Sequence, residues 1–178
     1  METITVHKAT EKDIKALSEK LCKLLEDKTG KLYQDNVVKF GIPDEHVKKT
    51  FPEEALLRAV QLKKATFSLA RKNRSSILGF AQIIEQDSIS VELDRIVVFP
   101  EYERKGIGTK LLKRAVADQK KRKTKTIVVM TGRDESHARA FYEKNGFKQV
   151  KEEMLEFPWG KKIPIVVYHF ELDTDIRN

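Results

Sequence analysis

The chain has 178 residues, with 35 Lys and Arg against 27 Asp and Glu, and a formal net charge of +8 at pH 7. This length is typical of one domain, 1–178, and no apolar run approaches the roughly 20 residues of a membrane-spanning helix. The start METITVHKAT lacks the apolar centre of a signal peptide, and the single cysteine, Cys22, excludes an internal disulfide. We therefore expect a reducing, cytoplasmic location.

The positive charge favours a polyanionic ligand. The densest basic run, 120–125, lies at the end of a predicted helix, where cations are favourable, and contains no aromatic residue for base stacking. We therefore expect neither nucleic acid nor a membrane as partner. Cys22 falls within an amphipathic helical pattern and is interpreted as a small core residue. None of the four histidines has a partner at ligand spacing, so no metal site is expected.

In the N-terminal third, the pattern predicts one strand and several helices. Thr10 and Asp13 form an approximate capping box, which marks the start of the first helix. The predicted elements are a strand at 3–9, a helix at 10–28, short helices and loops at 30–52, and a helix that begins after Pro52.

From Ala65 onward the hydrophobic period changes to two, and strands predominate. The first predicted elements are a hairpin, with strands 67–70 and 77–85 around a turn at 72–74, and a central strand at 88–99. A helix at 106–123, a buried strand at 126–130 and a helix ending at 145–146 follow. The last two predicted strands, 147–157 and 163–172, are joined by a turn around 158–160. A helix that crosses over between two parallel strands indicates a mixed α/β fold. Trp159 in the last turn is expected to pack.

A glycine loop, ERKGIG at 103–108, leads from the central strand directly into a helix. Backbone N–H groups at such a helix N-terminus form a phosphate cradle. It is not a P-loop, because Gly108 is followed by Thr109 and Lys110 in the wrong order. The third glycine and the acidic residue of a dinucleotide fingerprint are also missing.

A second segment, ARAFYEKNGF at 138–147, reads as a helix capped by Asn145 and Gly146 and followed by a strand. The glycine loop fits the pattern Q/R-x-x-G-x-G/A except at Glu103, and the second segment fits A-x-x-F-Y-x-x-x-G-F at every fixed position. Together the two segments resemble the GNAT superfamily of acyl-CoA N-acyltransferases, over roughly residues 88 to 150.

The resemblance implies an α/β fold whose mixed, mostly antiparallel central sheet is splayed between two parallel middle strands and flanked by helices. It implies transfer of an acetyl group from acetyl-CoA to a primary amine by direct attack, with a backbone N–H near Val97 or Val98 on the carbonyl oxygen. The cofactor-binding residues that it implies are Ile96, Val97, Val98, Arg104, Lys105, Gly106, Ile107, Gly108 and Thr109.

Glu92 and Asp94 are acids in a strand that should be buried, where unpaired charges are costly. Being two residues apart, they should share one face of the strand. Glu92 also stands fourteen residues before Gly106, where many GNAT members carry a glutamate that deprotonates the amine. We interpret Glu92 as the base ahead of Asp94. The alternative is that one or both are structural and pair with Arg95 or another basic side chain.

Tyr142 is interpreted from the resemblance as the general acid that hydrogen bonds to the thioester sulfur. The alternative is an amphipathic core tyrosine with its tip in solvent. Phe141 is interpreted as core. Glu103 and Glu135 depart from the family pattern. We expect the Glu103 side chain to point away from the pyrophosphate, with Arg104 and Lys105 supplying positive charge, and the usual pantetheine contact at position 135 is in doubt.

The acceptor is left open between small amines, polyamines and protein or peptide amines. A polycationic acceptor would need an acidic pocket. An alternative of another class is a catalytically silent module that senses acyl-CoA or serves as a scaffold. Dimers are common among GNAT proteins, so a homodimer is compatible with the sequence, but no interface is specified.

Overall fold

The computed structural model describes residues 3–62, 65–73 and 76–172. One seven-stranded sheet runs through them, in the order β1-β2-β3-β4-β5-β7-β6. The strands are β1 (Thr5–Lys8), β2 (Ala65–Arg71), β3 (Ile77–Glu85), β4 (Ser90–Val98), β5 (Thr126–Gly132), β6 (Lys148–Glu156) and β7 (Lys162–Glu171). Residue 74, in the predicted turn between β2 and β3, lies outside the described residues.

Helices flank the sheet, and none that the structure describes has the length and apolar character to traverse a lipid bilayer. They are α1 (Glu11–Glu26), α2 (Lys31–Tyr33), α3 (Asp44–Thr50), α4 (Glu53–Gln61), α5 (Ile107–Lys121) and α6 (Ser136–Lys144), with a π-helical stretch at Gln34–Val38 and a 3₁₀ turn at Pro100–Tyr102. The predicted strands and helices are therefore present, with ends that differ by a few residues.

All neighbouring strands pair antiparallel except β4 and β5, which are parallel and joined by α5. The β4–β5 pairing covers only Ser90↔Thr126, Val91↔Ile127 and Glu92↔Val128. Both strands continue beyond these residues without pairing to each other. The fold class predicted from the sequence, a mostly antiparallel sheet splayed between two parallel middle strands, is confirmed.

Two apolar clusters cover the sheet. One contains the buried stripe of α5 (Ile107, Leu111, Leu112 and Ala115) together with Tyr142 of α6 and Tyr168 of β7. The other contains the buried faces of α1, α2 and α4 against β2 and β3. Each cluster follows from amphipathic helices that place apolar residues three and four apart.

The interpretation of Cys22 as a core residue is wrong, because its side chain is exposed. The buried stripe of α1 consists of Ile14, Leu17, Ser18, Leu21 and Leu25. Cys22 directly follows Leu21 but is not part of this stripe. Trp159 packs as expected. Its ring stacks on Phe157 at 4.8 Å between centroids, and its Nε1 donates to the Phe40 carbonyl.

The predicted capping box at the start of α1 is present. Thr10 Oγ1 accepts from the Asp13 N–H at 3.3 Å, and Asp13 Oδ2 accepts from the Thr10 N–H at 2.9 Å. Thr10→Ala removes the capping hydroxyl and is expected to lower the free energy of unfolding by about 1 kcal/mol. Urea unfolding measures this change, with Thr10→Ser as the control because serine keeps the cap. Equal stability of the alanine and serine variants would contradict the prediction.

Candidate active site

The splay between β4 and β5 creates a cleft in the middle of the sheet. Beyond Glu92 and Val128, the facing edges of the two strands are not paired to each other, so main-chain polar groups along them are available to a ligand. The strand β4 is held against β3 instead, from Val91 to Val98. At Gly79 of β3 a Cβ atom would lie 2.4 Å from the Val97 carbonyl oxygen, so only glycine permits this close approach.

The cleft has a volume of about 650 Å³. Its floor is the end of β4, one end is the glycine loop, and its two walls are α6 and the segment that begins with α2. The predicted cofactor-binding residues Ile96, Val97, Val98, Arg104, Gly106, Ile107, Gly108 and Thr109 all line it.

The glycine loop concentrates backbone donors at one end of the cleft. None of the six N–H groups from Arg104 to Thr109 donates to an acceptor among the described residues. Arg104 (φ 59°) and Gly106 (φ 72°) are both left-handed, and this alternation turns successive N–H groups toward one concavity. Gly106 is suited to its position because it adopts a positive φ without steric cost. The loop therefore matches the phosphate cradle predicted from its sequence.

Gly108 keeps the cleft open between the glycine loop and α6. A Cβ atom at this position would lie 3.6 Å from the Phe141 ring and 3.8 Å from Val98 Cγ2, and so would fill the space between them. The interpretation of Phe141 as core is wrong, because its ring is only partly buried and forms part of the cleft wall. Tyr142, its neighbour, takes the core position on α6.

Lys105 is the one predicted cofactor residue whose side chain does not line the cleft. Its ammonium donates to the Glu101 carbonyl at 3.2 Å and lies 5.6 Å from the centre of the Tyr102 ring. Its backbone N–H remains among the free donors of the loop.

Glu92 is the last residue of β4 that pairs with β5, and it therefore stands at the vertex of the splay. Its carboxylate is half-buried and accepts a hydrogen bond from Gln86 Nε2 at 2.5 Å. Burial raises the pKa of Glu92, and the nearby charge of Asp94 raises it further. No described basic side chain forms an ion pair with Glu92. A carboxyl group with a raised pKa at this position is suited to accept a proton near neutral pH.

Asp94 has the structural role that was the alternative for these acids. The register shifts between Gln82 and Ile83 of β3, which places both Asp94 and Arg95 opposite Gln82 in a β-bulge. The bulge allows Arg95 Nε to pair with Asp94 Oδ2 at 2.6 Å. The Arg95 guanidinium also lies 5.4 Å from the Phe51 ring. Asp94 is therefore compensated, and Glu92 remains the better candidate base.

Tyr142 is 9% exposed and lines the cleft, and no described residue hydrogen bonds to its hydroxyl. Its ring is held edge-on between Phe141 and Phe147, at 5.3 and 5.5 Å between centroids. Burial, followed by the charges of Glu135 and Asp94, raises the pKa of Tyr142 to about 12. The phenol therefore keeps its proton at neutral pH and is available as a donor to a group in the cleft.

The wall opposite α6 was not predicted from the sequence. It consists of Lys31, Leu32, Asp35 and Asn36, from α2 and the π-helical stretch. Lys31 explains how Glu103 is tolerated. The Glu103 side chain does not point away as expected but lines the cleft, with its carboxylate 2.7 Å from the Lys31 ammonium. The spacing Lys31, Asp35, Lys39 was the available signal, since residues four apart share a helix face.

Comparisons with known proteins agree with this architecture. Residues 63–149 match the family model of the Acetyltransferase (GNAT) domain. The uncharacterized protein YxbD of Bacillus subtilis (strain 168) is 39% identical over 67 residues, which span 37% of this chain and 39% of YxbD. The match therefore covers about two fifths of that relative.

Two solved structures illustrate the shared fold. The structure of yncA of Salmonella typhimurium with its cofactor acetyl-CoA superposes with a TM-score of 0.71 at 17% identity, over 97% of this chain and 96% of yncA. The paia N-acetyltransferase of Thermoplasma acidophilum, in complex with coenzyme A, gives 0.67 at 22% identity, over 96% and 99%. The family match over residues 63–149 and these shared folds confirm the resemblance to GNAT acetyltransferases that the two motifs indicated.

Proposed function

We propose that this protein is an acetyl-CoA-dependent N-acetyltransferase that transfers the acetyl group to a primary amine by direct attack. The main support is the combination, in one cleft, of two features: glycine-loop N–H groups that meet no acceptor among the described residues at one end, and a strand edge not paired to β5 along the floor. The first suits a pyrophosphate, and the second suits the amides of an extended pantetheine arm. Because Gly108 has no side chain, there is room for that arm between the glycine loop and Phe141.

Acetyl transfer forms a C–N bond, breaks the C–S bond and removes one proton from the amine nitrogen. Glu92 is the proposed acceptor of that proton, through a water molecule, since its carboxylate lies at the vertex of the splay and does not line the cofactor cleft. A free main-chain N–H of β4 near Val97 or Val98 would bind the carbonyl oxygen as negative charge develops on it. The acceptor amine belongs to a small molecule or a peptide.

Tyr142 is the proposed hydrogen-bond donor to the departing sulfur. Its pKa of about 12 lies well above the roughly 8.5 of an ordinary cysteine thiol, so complete proton transfer to a thiolate would be uphill. The phenol would instead stabilise the thiolate by donating its O–H, and the sulfur would take a proton from solvent after release. This role requires a hydroxyl in the cleft that no described residue engages, as Tyr142 has.

The direct test is thiol release from acetyl-CoA across a panel of amines, including spermidine, amino-acid amides and short peptides with free N-termini. Turnover that depends on one class of amine, with mass spectrometry showing the acetylated product, is expected. Tight acetyl-CoA binding without turnover on any amine would favour the silent sensor module over the enzyme.

Gly108→Ala is expected to weaken acetyl-CoA binding roughly 5- to 100-fold, because overpacking a filled site costs about 1–3 kcal/mol. Its thermal stability should be unchanged or higher, since alanine is the better helix former. Gly146→Ala, directly after α6 with φ 89° and outside the cleft lining, is the control and should show the opposite pattern, with lower stability and unchanged affinity. Calorimetric titration and thermal melting measure both; unaltered affinity in Gly108→Ala would refute the placement of the ligand.

Glu92→Gln should lower kcat at neutral pH by roughly 100-fold or more, within the usual range for a general base. In the wild type, kcat should fall as the pH drops through the raised pKa of Glu92, because the base must be deprotonated. That acidic limb should disappear in the variant. Asp94→Asn is the control and should keep it. An acidic limb that survives in Glu92→Gln would reject Glu92 as the base.

Tyr142→Phe removes the donor to sulfur and should lower kcat by about 100-fold, comparable to the loss of one oxyanion donor. The Kd for acetyl-CoA should change less than twofold, because the ring and its packing are retained. Tyr102→Phe, outside the cleft, is the matched control. Full kcat in Tyr142→Phe would remove the residue from the mechanism.

A further inference from the structure

The cleft proposed to take an anionic ligand has two carboxylates on its walls, Glu103 beside the glycine loop and Glu135 at the start of α6. A negative charge there should repel phosphate groups. The carboxylate oxygen Oε1 of Glu135 is also buried. These two side chains need a physical explanation.

Both carboxylates are paired with lysines from one segment. Lys31 contacts Glu103 at 2.7 Å, and the ammonium of Lys39 contacts Glu135 Oε1. Lys31 and Lys39 are the ends of residues 31–39, which combine α2 with the π-helical stretch and are named the strap here. The strap thus reaches both sides of the cleft, the loop before α5 at one end and α6 at the other.

The strap has a buried and a polar side. Leu32, Tyr33 and Val37 are buried in the cluster beneath α1 and α4. Asp35 and Asn36 face the cleft. Beyond Lys39, the hairpin turn between β6 and β7 supports the strap, where Lys161 Nζ donates to the Lys39 carbonyl and Trp159 Nε1 to the Phe40 carbonyl. The strap is therefore attached to the body of the protein on one side, and two ion pairs join it to the cleft walls.

We infer that the strap holds acyl-CoA in the cleft, and that the ion pairs Lys31–Glu103 and Lys39–Glu135 attach the strap to the two cleft walls. The lysines are positioning residues, and the glutamates anchor them rather than contact the ligand. Release of coenzyme A then requires both pairs to open. This inference rests on the proposed function and adds a role for a segment outside both sequence motifs.

The most direct test replaces the two glutamates, Glu103 and Glu135, by glutamine. If the glutamates only repel the ligand, then Glu103→Gln and Glu135→Gln remove negative charge and slow the release of acetyl-CoA. If they fasten the strap, the same substitutions speed its release. Stopped-flow displacement of acetyl-CoA should give a dissociation rate about two- to fivefold higher for each variant and about tenfold higher for the double variant, as expected for partly exposed ion pairs.

A charge reversal supplies the matched control. Lys39→Glu should speed release at least fivefold, and Lys39→Glu combined with Glu135→Lys should return within twofold of the wild type. Lys151→Met breaks an exposed pair with Glu153 far from the cleft and should have no effect. Added salt should speed the release of acetyl-CoA from the wild type more than from the Glu103→Gln, Glu135→Gln double variant.

The outcomes separate the two proposals. Wild-type protein that does not bind acetyl-CoA would overturn the proposed function, and the strap with it. Wild-type binding with slower or unchanged release from Glu103→Gln and Glu135→Gln would overturn the strap alone. Melting temperatures within a few degrees of the wild type establish that the variants are folded, which is expected because all four side chains are partly exposed.

Discussion

The early end of pairing between β4 and β5 is the constraint on which the rest of the structure depends. Parallel neighbours in a sheet normally continue their hydrogen-bond ladder, and here it stops after Glu92 and Val128. The strand β4 instead follows β3, helped by the bulge at Asp94 and by the absence of a Cβ at Gly79. The main-chain groups freed by this choice do not pair with β5 in the part of the chain that the structure describes, and they are available to a ligand.

The proposed anion-binding cleft has carboxylates around it, and their charges are offset by neighbouring groups. The free N–H groups of the glycine loop, at the positive end of α5, provide the attraction. Arg95 compensates Asp94, Lys31 compensates Glu103, and Lys39 compensates Glu135. Glu92 has no such basic partner among the described residues, which is the physical reason to assign it a chemical role rather than a structural one.

The parts of the site that depend on local sequence could be predicted. The capping box of α1, the glycine loop and the Asn145–Gly146 end of α6 are each encoded within a few residues, and each is present. Contacts between distant segments could not be predicted in this way. Lys31 and Glu103 are 72 residues apart, so nothing local indicates that they pair.

Two predictions made from the sequence, the core positions of Cys22 and Phe141, fail for the same reason. Cys22 and Phe141 were assigned to the core from hydrophobicity, but a helix buries only one stripe, and each residue lies one position from a better-placed neighbour, Leu21 or Tyr142. The apolar pattern predicts which residue types are available for burial. The packing of the helix against the sheet decides which of two adjacent ones is buried.

Amide hydrogen exchange, measured with and without coenzyme A, tests the central claim most directly. The account predicts that the ligand slows exchange at residues 104–109 and at the residues within 93–98 of β4 whose N–H groups do not donate to β3. The reason is that it supplies acceptors for N–H groups that have none among the described residues. Exchange elsewhere in the sheet, for example in β2, should be unchanged. Protection confined to other surfaces, with no change in the glycine loop and at the free edge of β4, would contradict the account.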